Sequence, residues 1–162
     1  MPDKKQRVGM GYDVHPFSTE RKLVLGGQDI PFHKGLSGWS DADALIHAVI
    51  EAMLGAAAMG DIGQHFPPGD PTYKDISSMV LLRETTDKLY ARGWRVNNID
   101  ATIVTEAPRL TEYIEAMRRA ISHILNIDVD QVSIKPKTSG RLGFIGRGEG
   151  IAAYAVVLIE SK

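Results

Sequence analysis

The 162-residue chain contains no cysteine, and that absence removes several chemistries together. Disulfides, thiolate zinc sites and cysteine nucleophiles are all excluded. Any metal has to be held by histidine or carboxylate, and the histidines are five: His15, His33, His47, His65 and His123. Long apolar runs are missing as well. No window reaches the roughly 18 consecutive apolar residues of a membrane-spanning helix, and the start, MPDKKQR, is polar where a secretory signal would be apolar. A cytoplasmic location and no membrane partner are the expectation. There is no surplus of basic charge: the formal net charge of −1 argues against a nucleic-acid or membrane-surface protein. Repeats, low-complexity tracts and long linkers are also lacking.

What is present is an ordinary globular composition, 43% hydrophobic and 24% charged, long enough for a single domain over residues 1–162. β-branched content and alternation predict strands near 7–14, 22–26, 28–32, 94–106, 131–138 and 150–160. Between them lie three helices. The first follows SDADALIHAVIEAMLGAAAMG, where Ser40 with Asp43 three residues on reads as a capping box. The second covers about 78–92, with Gly93 as a left-handed C-terminal residue. The third covers about 111–125 and is opened by Thr111 after Pro108. This pattern predicts an α+β domain with three helices packed on one sheet face. The other face then needs cover, and self-association is one way to supply it.

GYDVHPF, residues 11–17, places Asp13 and His15 two apart, on one face of a strand. The first helix is apolar almost all round, so it should be buried; on it Asp43, His47 and Glu51 form one polar stripe at i, i+4 and i+8. Buried ionisable groups are costly unless paired or metal-bound. Asp13, His15 and His47 could form a three-ligand set with an open fourth position, as in catalytic zinc sites. They could equally be a satisfied core histidine and unrelated surface groups. KPKTSGRLGFIGRGEG, residues 135–150, either cradles phosphate with Lys135, Lys137, Arg141 and Arg147 or is a glycine-rich turn between strands. It is not a Walker loop, since the Lys and Ser/Thr are in the wrong order and no helix is expected after it. TEAPRL, residues 105–110, is either a ligand-contacting strand end or a plain connection.

Taken in order and spacing, GYDVHPF, SDADALIHA, GAAAMGDIGQHFP, TEAPRL and GFIGRGEGIAA closely resemble the 2-C-methyl-D-erythritol 2,4-cyclodiphosphate synthase family, from about Arg7 to Ile159. The resemblance implies a phosphorus–oxygen lyase of the non-mevalonate isoprenoid pathway. Such an enzyme cyclises 4-diphosphocytidyl-2-C-methyl-D-erythritol 2-phosphate and releases CMP. It implies a homotrimer whose sheets line a central cavity able to take a prenyl diphosphate, with active sites at subunit interfaces. It also implies Zn²⁺ or another divalent metal on Asp13, His15 and His47, with Val14 beside them, and Mg²⁺ or Mn²⁺ on the substrate diphosphate. Thr138 and Trp39 would serve catalysis. Trp39, Ser40, Asp61, Ile62, Gly63 and the segment Phe66, Pro67, Pro68, Gly69 and Asp70 would line the substrate pocket. Thr105, Glu106, Ala107, Pro108, Arg109, Leu110 and Thr111 would form a neighbouring subunit's cytidine pocket. Lys137, Thr138, Ser139 and Gly140 would lie by the diphosphate, and Phe144 and Arg147 near substrate and cavity.

The chain departs from the pattern at a few positions. Trp39 stands where many members have histidine, Gly140 where a glutamate usually helps hold the second ion, Lys137 where a hydroxyl residue is usual, and Glu51 where aspartate is commoner. Two other readings stand beside the synthase: a catalytically weak homologue binding cytidine nucleotide or prenyl diphosphate, and an unrelated metal-dependent phosphatase. Release of CMP rather than inorganic phosphate separates them.

Overall fold

Alternation along three long strands, interrupted in the strand Trp94–Val104 by a register shift between Val96 and Asn98, builds the sheet that carries the candidate residues. The computed structural model describes residues 4–162, so Met1, Pro2 and Asp3 of the polar start and of the expected domain lie outside it. The elements run β1 (Gln6–Ser18), β2 (Leu23–Leu25), β3 (Gln28–Ile30), β4 (Gly35–Leu36), α1 (Ala44–Ala56), α2 (Ile62–His65), α3 (Ser78–Ala91), β5 (Trp94–Val104), α4 (Ile114–Leu125), β6 (Val132–Lys137), α5 (Gly143–Gly146) and β7 (Gly150–Ser161). Five strands form one mixed sheet in the order β4-β1-β7-β5-β6. β7 runs antiparallel to both β1 and β5, whereas β5 and β6 are parallel, joined by a crossover through α4. β2 and β3 make a separate hairpin whose turn is Gly26–Gly27, at φ +57° and +73°. Two consecutive positive φ values suit glycine and give the twist that tight hairpins need.

Helices α1, α3 and α4 cover one face, as the alternation required. α1 lies directly over β1 and β7 and is apolar apart from His47 and Glu51, with Leu45, Ile46, Val49, Ile50, Met53 and Leu54 fully buried. Each such side chain contributes about 1.5–3 kcal/mol relative to exposure. The close approach depends on two glycines: a Cβ at Gly9 would collide with the Ala52 carbonyl, and one at Gly11 with the Ala48 carbonyl. The opposite face carries Val8, Met10, Tyr12 and Val14 of β1 and Tyr154 and Val156 of β7, all exposed.

Several boundaries differ from the sequence reading. The first helix is capped by Asp43, whose carboxylate accepts the Ile46 N–H at 3.1 Å; Ser40 lies before the helix, and its hydroxyl is spent on His47. Thr111 opens a 3₁₀ turn, Thr111–Tyr113, ahead of α4. Gly93 does take the left-handed conformation after α3, at φ +82°. The glycine-rich segment holds a single helical turn of its own, α5, which short glycine-rich sequence gives no period to announce, and strand β7 rather than a helix follows it.

Candidate active site

β1 runs on through His15 and Pro16 to Ser18, so Asp13 and His15 sit within the strand and face α1. That proximity brings them to His47 on the helix. Asp13 Oδ2 lies 2.6 Å from His15 Nε2 and 3.0 Å from His47 Nδ1, and the two ring nitrogens are 3.2 Å apart. For metal bonds of about 2.0–2.1 Å, a tetrahedral site needs ligand atoms roughly 3.3 Å apart. The observed separations are slightly shorter than that. The donor set is one carboxylate oxygen and two imidazole nitrogens, all converging, which fits a zinc-type divalent ion.

The far nitrogen of each ring is engaged. His15 Nδ1–H donates to the Ser37 carbonyl at 2.9 Å, so that Nε2, once it gives up the proton it shares with Asp13, aims a lone pair at the site. His47 Nε2–H lies 2.8 Å from Ser78 Oγ and 3.1 Å from Ser40 Oγ, and the Ser78 hydroxyl donates in turn to Asp41. Such outer partners fix tautomer and ring orientation. Burial opposes charge on Asp13 and His15 alike. Their mutual hydrogen bond and attraction, with help from His47 for Asp13, outweigh it: the Asp13 carboxyl lies below the usual carboxylate range and the His15 imidazole above its usual value.

The rest of the α1 polar stripe is structural. Asp43 is fully buried, and its carboxylate also accepts the Gly26 and Gly27 N–H groups at 2.9 and 2.8 Å. Burial and the nearby Asp41 charge push it up to about 6, against the pull of these backbone donors. Glu51 Oε1 accepts the Ile62 N–H at 3.0 Å and so fixes the start of α2.

Candidate residues gather in two separate places. A cavity of about 290 Å³ is lined by Asp13, His15, His47, Trp39, Ser40, Ile62, Gly63, Phe66 and Pro68, joined by Tyr73 and Leu81. A second, of about 360 Å³, lies at the ends of the parallel pair β5 and β6 and is lined by Thr105, Glu106, Pro108, Arg109, Leu110, Thr111, Pro136, Lys137 and Thr138. The two share no residue. Larger open grooves of about 660 and 620 Å³ hold none of the candidate residues. Asp61 caps α2 by accepting the Gln64 N–H at 2.9 Å. Neither Val14, Asp61, Pro67, Gly69 and Asp70 nor Ala107, Ser139, Gly140, Phe144 and Arg147 line either cavity. Val14 points to the uncovered sheet face, Phe144 is exposed on α5, and Arg147 pairs with Glu149 at 3.1 Å.

The glycine-rich segment is not a free phosphate cradle. Glu106 Oε1 accepts the Ser139 N–H at 2.7 Å and the Arg141 N–H at 3.2 Å. The backbone donors expected for phosphate are therefore spent on the chain's own carboxylate, which ties the 105–111 and 137–141 loops together. Lys137 and Thr138 remain exposed beside that junction. Ser78, Asp41, Tyr73 and Leu81 went unnoticed in the sequence. Ser78 reads only as part of a helix start, and nothing in its spacing points to His47.

Comparison with known proteins follows the same lines. The 2-C-methyl-D-erythritol 2,4-cyclodiphosphate synthase of Desulforamulus reducens is 57% identical over 154 residues, 95% of this chain and 98% of its own. That of Moorella thermoacetica is 56% identical over 156 residues, 96% of each chain. Among solved structures, the bifunctional IspDF from Campylobacter jejuni superimposes with a TM-score of 0.95 at 38% identity, over 99% of this chain and 44% of that larger one. IspF of Plasmodium falciparum, solved as a CDP complex, gives a TM-score of 0.85 at 31% identity over 97% of each. The YgbB family model matches residues 6–160, and the chain belongs to that family.

Proposed function

We propose that the protein converts 4-diphosphocytidyl-2-C-methyl-D-erythritol 2-phosphate into 2-C-methyl-D-erythritol 2,4-cyclodiphosphate and CMP. The observation that carries this is the Asp13–His15–His47 triangle opening into an apolar cavity, in a chain more than half identical to enzymes bearing that name. In the reaction an oxygen of the 2-phosphate bonds to the β-phosphorus, and the bond from that phosphorus to the bridging oxygen breaks, so that CMP leaves with the bridging oxygen. No protein nucleophile is required, and positioning and charge neutralisation carry such a transfer. The divalent ion, Zn²⁺ in this reading, would supply Lewis-acid polarisation of a phosphate oxygen.

The chain's own part is to hold three ligands in fixed tautomers and to seat the carbon skeleton against Ile62, Phe66, Pro68 and Leu81. Lys137 and Thr138 would present positive charge and a hydroxyl to the diphosphate, with Mg²⁺ or Mn²⁺ on its oxygens, and the 105–111 loop would receive the cytidine. Because the two cavities share no residue within one chain, the complete site would form between subunits of a homotrimer, packed through the uncovered sheet face. Phosphorus-31 NMR of the zinc-loaded protein with substrate and Mg²⁺ tests this. Paired appearance of CMP and a cyclic diphosphate is the expected result. Unchanged substrate, or inorganic phosphate instead, would sink it.

A further inference from the structure

Trp39 is tied to one short segment at two points. Its indole Nε1–H donates to the Asp70 carbonyl at 2.9 Å, and its own carbonyl accepts the Asp75 N–H at 2.8 Å. Between those residues lies the 3₁₀ turn Pro71–Tyr73, closed by the Tyr73 N–H on the same Asp70 carbonyl at 3.0 Å. Arg21 fastens the corner from the other side, reaching the Gly38 and Ser40 carbonyls at 3.2 and 2.5 Å and Asp75 at 3.4 Å. The indole ring lines the cavity together with Phe66, Pro68 and Tyr73. Phe66 meets Tyr73 edge-on, with ring centroids 5.4 Å apart.

An indole has a single N–H and no charge. Engaged by Asp70, that donor is not directed at a phosphate. We propose that Trp39 is a positioning residue: it holds the wall from Phe66 to Tyr73 closed against the cavity before a ligand arrives. The inference rests on the reading of that cavity as the seat of the substrate's carbon skeleton. A wall ordered in advance need not be ordered at the expense of binding, so the effect of Trp39 falls on affinity rather than on the chemical step.

Trp39→Phe keeps a ring and removes the donor. In hydrogen–deuterium exchange without substrate, residues 66–75 of this variant should exchange about fivefold faster, the effect of one lost neutral hydrogen bond, with α1 unchanged. With the diphosphocytidyl substrate, KM should rise by a similar factor while kcat stays within about twofold. Unaltered exchange, or faster exchange with KM unmoved, overturns the proposal. So does a fall in kcat at constant KM, which would put the indole at the reacting phosphates. The exchange measurement does not depend on turnover. A wild-type protein that releases no CMP, beside a variant whose wall loosens, would refute the assigned reaction and leave the anchor standing.

Discussion

His47 is the third member of a relay, and its two serines deserve the same weight as the ring. Ser78 receives its Nε2–H and passes a hydrogen bond on to Asp41. Ser78→Ala should weaken zinc affinity about tenfold, within the range for outer-shell partners, as read by competition with a chromophoric chelator. Ser40, at 3.1 Å from the same nitrogen, sets the residual affinity. Asp43 gives a different test. With its folded pKa pushed up to about 6 from 3.8, the folded state binds a proton that the unfolded chain does not across that window. Stability therefore rises as pH falls through 6 toward 4 and is lost as pH rises. At roughly 1.4 kcal/mol per unit, the span is worth up to about 3 kcal/mol. Urea unfolding should show the stability gap between wild type and Asp43→Asn widening from pH 7 to pH 5; a constant gap would count against the raised pKa.

The spacing of α1 from β1 sets the distance from His47 to Asp13, and glycine sets that spacing. Gly11→Ala drives a methyl into the Ala48 carbonyl. It should cost about 1–3 kcal/mol of stability, as overpacking does, and also lower zinc affinity by displacing His47. Unfolding midpoint and metal titration on one sample check both. At this scale much of the molecule was legible. The period of 2 in β1, β5 and β7 and the buried apolar run of α1 exposed their faces, and GYDVHPF with a helix-borne histidine suggested the ligands. What was hidden has physical reasons. β4, α2 and α5 are two to four residues long, too short for periodicity. The α1 cap was misread because Ser40 and Asp43 both suit an N-terminus, and only the fold shows Asp43 reaching Gly26 and Gly27. The occupation of the 137–141 loop by Glu106 depends on the parallel pairing of β5 and β6, which no local pattern encodes.

The whole molecule presents two separate candidate cavities and an uncovered sheet face. Val8, Met10, Tyr12, Tyr154 and Val156 are each more than 40% exposed, an apolar patch of the kind that marks contact surfaces. If sites form between subunits, two inactive variants should rescue each other. His47→Ala and Thr138→Ala, unfolded together and refolded as a mixture, should regain up to about a quarter of wild-type turnover through statistically mixed trimers. Each variant refolded alone should stay inactive, and no rescue in the mixture would argue that each chain acts alone. β1 ties this surface to the chemistry through arithmetic alone. Its odd-numbered residues, Gly9, Gly11, Asp13 and His15, turn toward α1, and its even-numbered ones, Val8, Met10, Tyr12 and Val14, turn away. One residue inserted between Lys5 and Gly9 and absorbed by slippage of the strand would exchange the two sets at a stroke. The candidate ligands and the uncovered apolar face thus obey a single parity, and neither can shift frame without the other.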